Sequence, residues 1–113
     1  MNSRDAQIIK KILEEIAVID NLIDGYDLNG FLADERTKRA TCMTLINIGE
    51  LSKNLTDELK SRNDSIAWKA IAGMRDVTAH KYQTLKMNDV WVTVKDDLPK
   101  FKKQLIDLQQ ASK

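Results

Sequence analysis

The chain has 113 residues, 42% of them apolar and 31% charged, which suits one domain with a modest core and a surface compatible with water. Lys plus Arg number 18 against 17 Asp plus Glu, a formal net charge of +1; this excludes a protein that holds nucleic acid by bulk charge alone, though not local binding to a phosphate backbone. One Cys (Cys42) and one His (His80) exclude an intramolecular disulfide and a Cys/His zinc site within one chain.

Gly and Pro are scarce, at four and one, which argues against a many-turned all-β fold. The longest purely apolar run, Ile16-Ala17-Val18-Ile19, is far short of the roughly 20 residues that span a bilayer, so no membrane association is expected. The start, Met1-Asn2-Ser3-Arg4-Asp5, leads into a charged amphipathic stretch rather than an apolar signal core. With a single unpaired Cys, the expectation is a reducing cytoplasm.

The first predicted helix covers about residues 4–24, with Ile8, Ile9, Ile12, Leu13, Ile16, Ile19, Leu22 and Ile23 recurring at three-to-four spacing. Asp24-Gly25 is its stop, since Gly accepts the left-handed cap conformation. Tyr26 to Gly30 reads as a turn. A second helix starts near Ala33 or Asp34 and runs to about Leu55. Its apolar set (Ala40, Cys42, Met43, Leu45, Ile46, Ile48, Leu51, Leu55) is broad enough to suggest contacts on two sides, with the core and with a second subunit. Gly49 lies within this helix at a cost of about 1 kcal/mol relative to Ala, and close approach of a neighbouring helix is the ordinary reason.

Residues 56–65 are polar and read as a short helical turn followed by a loop. Asp64 or Ser65 is positioned to cap a third helix, which carries Ile66, Ala67, Ala70, Ile71, Met74 and Val77. A loop over Gln83 to Lys86 leads to the last helix. There Met87, Trp91, Val94, Leu98, Phe101, Leu105 and Leu108 alternate steps of four and three. Pro99 denies a hydrogen bond to the Lys95 carbonyl, yet the stripe keeps its phase across it, so one kinked helix is expected rather than two. No repeat or linker interrupts the chain. Residues 1–113 read as one all-α domain, a mostly antiparallel bundle of four main helices.

The segment that carries chemistry is Met74-Arg75-Asp76-Val77-Thr78-Ala79-His80-Lys81-Tyr82. Arg is a planar, permanently charged donor suited to phosphate, and His can take or give a proton near neutrality. Together they supply what RNA cleavage needs without a metal. A base removes the 2′-OH proton, that oxygen attacks the adjacent phosphorus, and the Arg stabilises the charged transition state. On a continuous helix Asp76 and His80 are i,i+4 partners, whereas Arg75 and His80 stand about 140° apart. One protomer converges them only if the helix distorts or ends between them. A symmetric dimer facing two copies of the segment is the other solution.

Arg75-x4-His80-x-Tyr82 resembles the R-x4–6-H-x-Y signature of HEPN domains, and most of all the HepT-like branch, the toxin-type partner of a minimal nucleotidyltransferase. The likeness covers nearly the whole chain, including Ile48-Gly49-Glu50, Trp68-x-x-Ile71-Ala72-Gly73-Met74-Arg75, Val90-Trp91 and Leu98-Pro99. It implies a four-to-five-helix bundle that forms a homodimer, with the two motifs lining a cleft. It implies a metal-independent endoribonuclease with no cofactor, in which Arg75 and His80 are the catalytic pair and Asp76 assists. Tyr82 matches a Tyr that in some members is modified with AMP by the cognate antitoxin, which would set negative charge in the RNA path. The implied partners are RNA and a nucleotidyltransferase antitoxin. Much of the wider superfamily has Asn where this chain has Asp76, and relatives often have Pro where this chain has Ala67.

Several of these residues also have plainer readings. Asp76 is as much a charge partner for His80 as a catalytic group. Tyr82 can pack its ring and bond its hydroxyl. Lys81 and Lys53 face solvent or contact phosphate. Glu50 pairs with Lys53 or Arg39, or reaches the cleft. Trp68, Trp91 and Phe101 read as core or dimer contacts, since 5% aromatics are too few for a base-stacking groove. Cys42 reads as buried and inert. No carboxylate spacing points to a metal, and no Gly-rich phosphate loop occurs. The alternative to a ribonuclease is a non-catalytic helical module that binds a nucleotide or scaffolds the nucleotidyltransferase.

Overall fold

The computed structural model describes residues 1–76 and 86–111, and no strand occurs among them. The order is α1 (Ser3–Ile23), α2 (Leu28–Ala33), α3 (Glu35–Lys53), α4 (Asp57–Arg62), α5 (Trp68–Ala72), a 3-10 turn (Gly73–Asp76), α6 (Met87–Val92), a π turn (Thr93–Asp97) and α7 (Leu98–Ala111). The fold is the expected all-α bundle of HEPN type.

The isoleucines of α1 explain its packing. Ile9, Ile12, Ile16 and Ile19 fall at helical spacing and are buried against α3 and α7. Across from them lie Cys42, Leu45 and Ile48 of α3 and Leu98, Phe101 and Leu105 of α7. Gly25, at φ +78°, ends α1 as expected. The predicted turn at Tyr26 to Gly30 is only partly that. Asp27 accepts from Gly30 N at 2.7 Å and starts the short helix α2. This helix buries Phe31, whose ring tilts against Trp91 with centroids 5.1 Å apart.

Asp34 caps α3 by accepting from Thr37 N at 3.0 Å. It also accepts from Tyr26 Oη at 2.5 Å, and Tyr26 Oη in turn accepts from Thr37 Oγ1 at 3.2 Å. The buried face of α3 also takes in polar side chains that the apolar set did not include. Met43 is 59% exposed, whereas Thr37, Thr41, Thr44 and Ser52 are buried. Thr44 and Ser52 manage this by bonding back to the carbonyls of Ala40 and Gly49.

A buried carboxylate ties the start of the chain to α4. Asp5 accepts from Thr56 N at 3.1 Å and from Thr56 Oγ1 at 2.6 Å. Thr56 Oγ1 itself accepts from Leu59 N and caps α4. The third helix begins later than its predicted Asp64 or Ser65 cap. Ala67 holds the cap position of α5 with no side-chain bond. Ile66 and Trp68 are buried on the core, and Trp68 Nε1 donates to Asn63 O at 2.9 Å. Burial of two large side chains outweighs a cap of about 1 kcal/mol. Val77, expected on the same helix, and Gln83 to Leu85, expected in the following loop, lie outside the described residues.

The last helix stays continuous from Met87 to Ala111. Ahead of Pro99 it widens, and Leu98 N donates to Thr93 O in the π pattern. That is how the helix accommodates a residue without an N–H. Its stripe holds: Val94, Leu98, Phe101 and Leu105 are buried, and Met87, Trp91 and Leu108 pack on the core.

Candidate active site

The site is built where α5 gives way to the 3-10 turn. The predicted continuous α-helix through Arg75 is not what forms. After Ala72 the backbone tightens, and Arg75 sits on Gly73–Asp76. The 3.6-residue phase behind the 140° separation of Arg75 and His80 therefore does not apply at Arg75. His80 and Tyr82, and the side chain of Asp76, lie outside the described residues.

Gly49 fixes where the turn can lie. A Cβ on Gly49 would collide with the backbone N of Arg75, stand 3.0 Å from Arg75 Cβ and 3.1 Å from Ala72 O. The missing side chain lets the backbone carrying Arg75 lie directly on α3. This is the close approach expected of a helical glycine, made here by a 3-10 turn rather than a helix.

With its backbone held, Arg75 sends its side chain outward, 41% exposed. Arg75 Nη1 stands 3.7 Å from Glu50 Oε1. Glu50 was open to Lys53, Arg39 or the cleft, and the ion pair it makes here is with Arg75. Arg39 instead bonds Glu35 at 3.0 Å. Arg75 and Glu50 are far apart in sequence, so no spacing rule pairs them; the legible signal was Gly49, which marked this part of α3 as a place of close contact. Glu50 also lines a groove of about 600 Å³ between α1 and α3 that carries Lys11, Glu14 and Glu15. Its balance is acidic.

Cys42 takes no part. It is buried, and burial, helped by the negative charge of Glu35, pushes its thiol up to about 11. Among the described residues no group of His, Cys, Asp and Glu is arranged to hold a metal ion, and no helix is long and apolar enough to cross a membrane.

The all-α bundle, with Arg75 on a turn packed against α3, is consistent with a HEPN-type domain. The family described as Ribonuclease HepT-like matches residues 12–108, and the chain belongs to it. The chain is 31% identical over 105 residues to "Putative RNase TTE0752" of Caldanaerobacter subterraneus subsp. tengcongensis, covering 93% of this chain and 94% of that one. It is 36% identical over 97 residues to "Probable ribonuclease HepT" of Thermococcus cleftensis, covering 82% and 88%. No solved structure matches at comparable significance.

Proposed function

We propose that the protein is a metal-independent endoribonuclease, the toxin of a pair whose antitoxin is a nucleotidyltransferase. The observation that carries this reading is Arg75, held by its backbone against Gly49 and open to solvent through its guanidinium. A backbone packed that closely costs the chain freedom at Gly49, and the side chain it fixes points at water rather than at the core. Family membership and the names of the relatives support the ribonuclease part of this reading.

In this mechanism one His80 accepts the proton of a ribose 2′-OH. The 2′ oxygen forms a bond to the adjacent phosphorus. Arg75 donates hydrogen bonds to the non-bridging oxygens as negative charge builds there. The bond to the 5′ oxygen breaks, and that oxygen takes a proton from a second histidine. The products are a 2′,3′-cyclic phosphate and a 5′-OH. Asp76 orients the imidazole or moderates Arg75. A homodimer supplies both copies of His80 and a cleft for the RNA. Transfer of AMP to Tyr82 by the antitoxin would place a phosphate in that cleft and oppose the RNA backbone. The reaction belongs in the cytoplasm, where RNA is the available substrate.

The test is cleavage of total RNA by the pure protein in EDTA, beside Arg75→Ala and His80→Ala. Fragments ending in cyclic phosphate from the wild type alone are the expected result. Equal cleavage by all three proteins would point to a different site or a contaminant. Silence from protein shown by mass to lack AMP would favour the non-catalytic module.

A further inference from the structure

We propose that Glu50 is a positioning residue for Arg75, setting the direction in which the guanidinium is offered to RNA; the proposal rests on the ribonuclease reading above. Gly49 and Glu50 are consecutive on α3 and act on the same target in two ways. Gly49 admits the Arg75 backbone, and Glu50 reaches its side chain. The pair is 41% and 54% exposed, and exposed ion pairs add little to stability, so holding the fold together is not what this carboxylate is for.

The separation carries the argument further. At 3.7 Å the contact is longer than a hydrogen bond. The carboxylate therefore biases the guanidinium by charge without occupying its fork of N–H donors. Among the described residues those donors remain available for a phosphate. Glu50 also borders the groove that carries Glu14 and Glu15. With Glu14, Glu15 and Glu50 against Lys11, that groove disfavours phosphate.

Charge makes the proposal separable from a binding role. Neutralising a carboxylate beside a phosphate path cannot weaken RNA attraction by Coulomb's law. In Glu50→Gln, kcat should fall about tenfold through misplacement of Arg75, while KM stays unchanged or drops. The melting temperature should match wild type, and Glu50→Asp should recover part of the rate. A direct readout that needs no catalysis is ¹⁵N relaxation of the Arg75 Nε. It should be rigid in wild type and as mobile as the Nε of exposed Arg4 in Glu50→Gln.

An unchanged kcat, or a KM rising in step with the loss, would overturn the proposal. So would an Arg75 Nε equally rigid in both proteins. If wild type itself cleaves no RNA, the ribonuclease reading fails, and the relaxation measurement still decides whether Glu50 orients Arg75.

Discussion

Asp34 shows how one side chain can serve two bonds at the entrance to a helix. Its carboxylate caps α3 and accepts from Tyr26, and the Tyr26 hydroxyl above all, then the Thr37 backbone, hold it below its ordinary value of 3.8. A carboxylate lowered by folding contributes stability that is fully present above the unfolded value and is lost as pH falls through the folded one. The window is therefore below pH 3.8. In Tyr26→Phe the Asp34 titration, followed by carboxyl ¹³C shifts, should move up toward that value, and the acid-unfolding midpoint should move up with it. An unmoved titration would mean that the phenol is not the main donor. Cys42 makes a second residue-scale case. Buried and raised to about 11, it should resist a thiol reagent at mildly alkaline pH in the native protein and react at once in denaturant. Reaction of native protein at the rate of a free thiol would contradict its burial.

At the scale of the element, α3 is the platform and Gly49 its decisive position. In Gly49→Ala, helix propensity gains about 1 kcal/mol. The new Cβ meets the Arg75 backbone rather than a side chain that can swing aside, and overpacking of this kind costs roughly 1–3 kcal/mol. The expected outcome in urea denaturation is a protein less stable by about 1 kcal/mol, with RNA cleavage reduced further because the turn carrying Arg75 must move. Higher stability with full activity would show that the approach is not tight. The long elements were legible from sequence because apolar spacing dictates them: α1, the capped start of α3 and the stripe of the last helix all follow their isoleucines and leucines. What was not legible depended on contacts between distant residues. The α2 helix needed Phe31 to find Trp91, and the late start of α5 needed the Trp68 indole to find Asn63 O. Arg75 was named as a site residue from its motif, yet its 3-10 setting and its Glu50 partner come from packing on α3. His80, Asp76 and Tyr82 rest on the motif.

For the whole molecule the open expectation is a pair of chains. A monomer has a mass of 12.9 kDa, so light scattering at micromolar concentration should return twice that, about 26 kDa for a C2 dimer. A clean monomer that still cleaves RNA would require one chain to supply acid, base and arginine by itself. Met43, exposed on the outer side of α3, is a surface such an interface would cover, and Met43→Lys should then shift the equilibrium toward monomer without unfolding the bundle.

The tie between Asp5 and Thr56 has a consequence for how the chain is made. The two residues are 51 positions apart, so at ordinary translation rates Thr56 emerges roughly 3–10 s after Asp5. During that interval α1 exists as a newly made segment whose isoleucine stripe has no partner and whose carboxylate has no lid. The stripe of α1 is thus covered only after α3, the α4 cap and then α7 have followed it out of the ribosome. The nascent chain passes through a window of exposed apolar surface that closes only when α7 arrives.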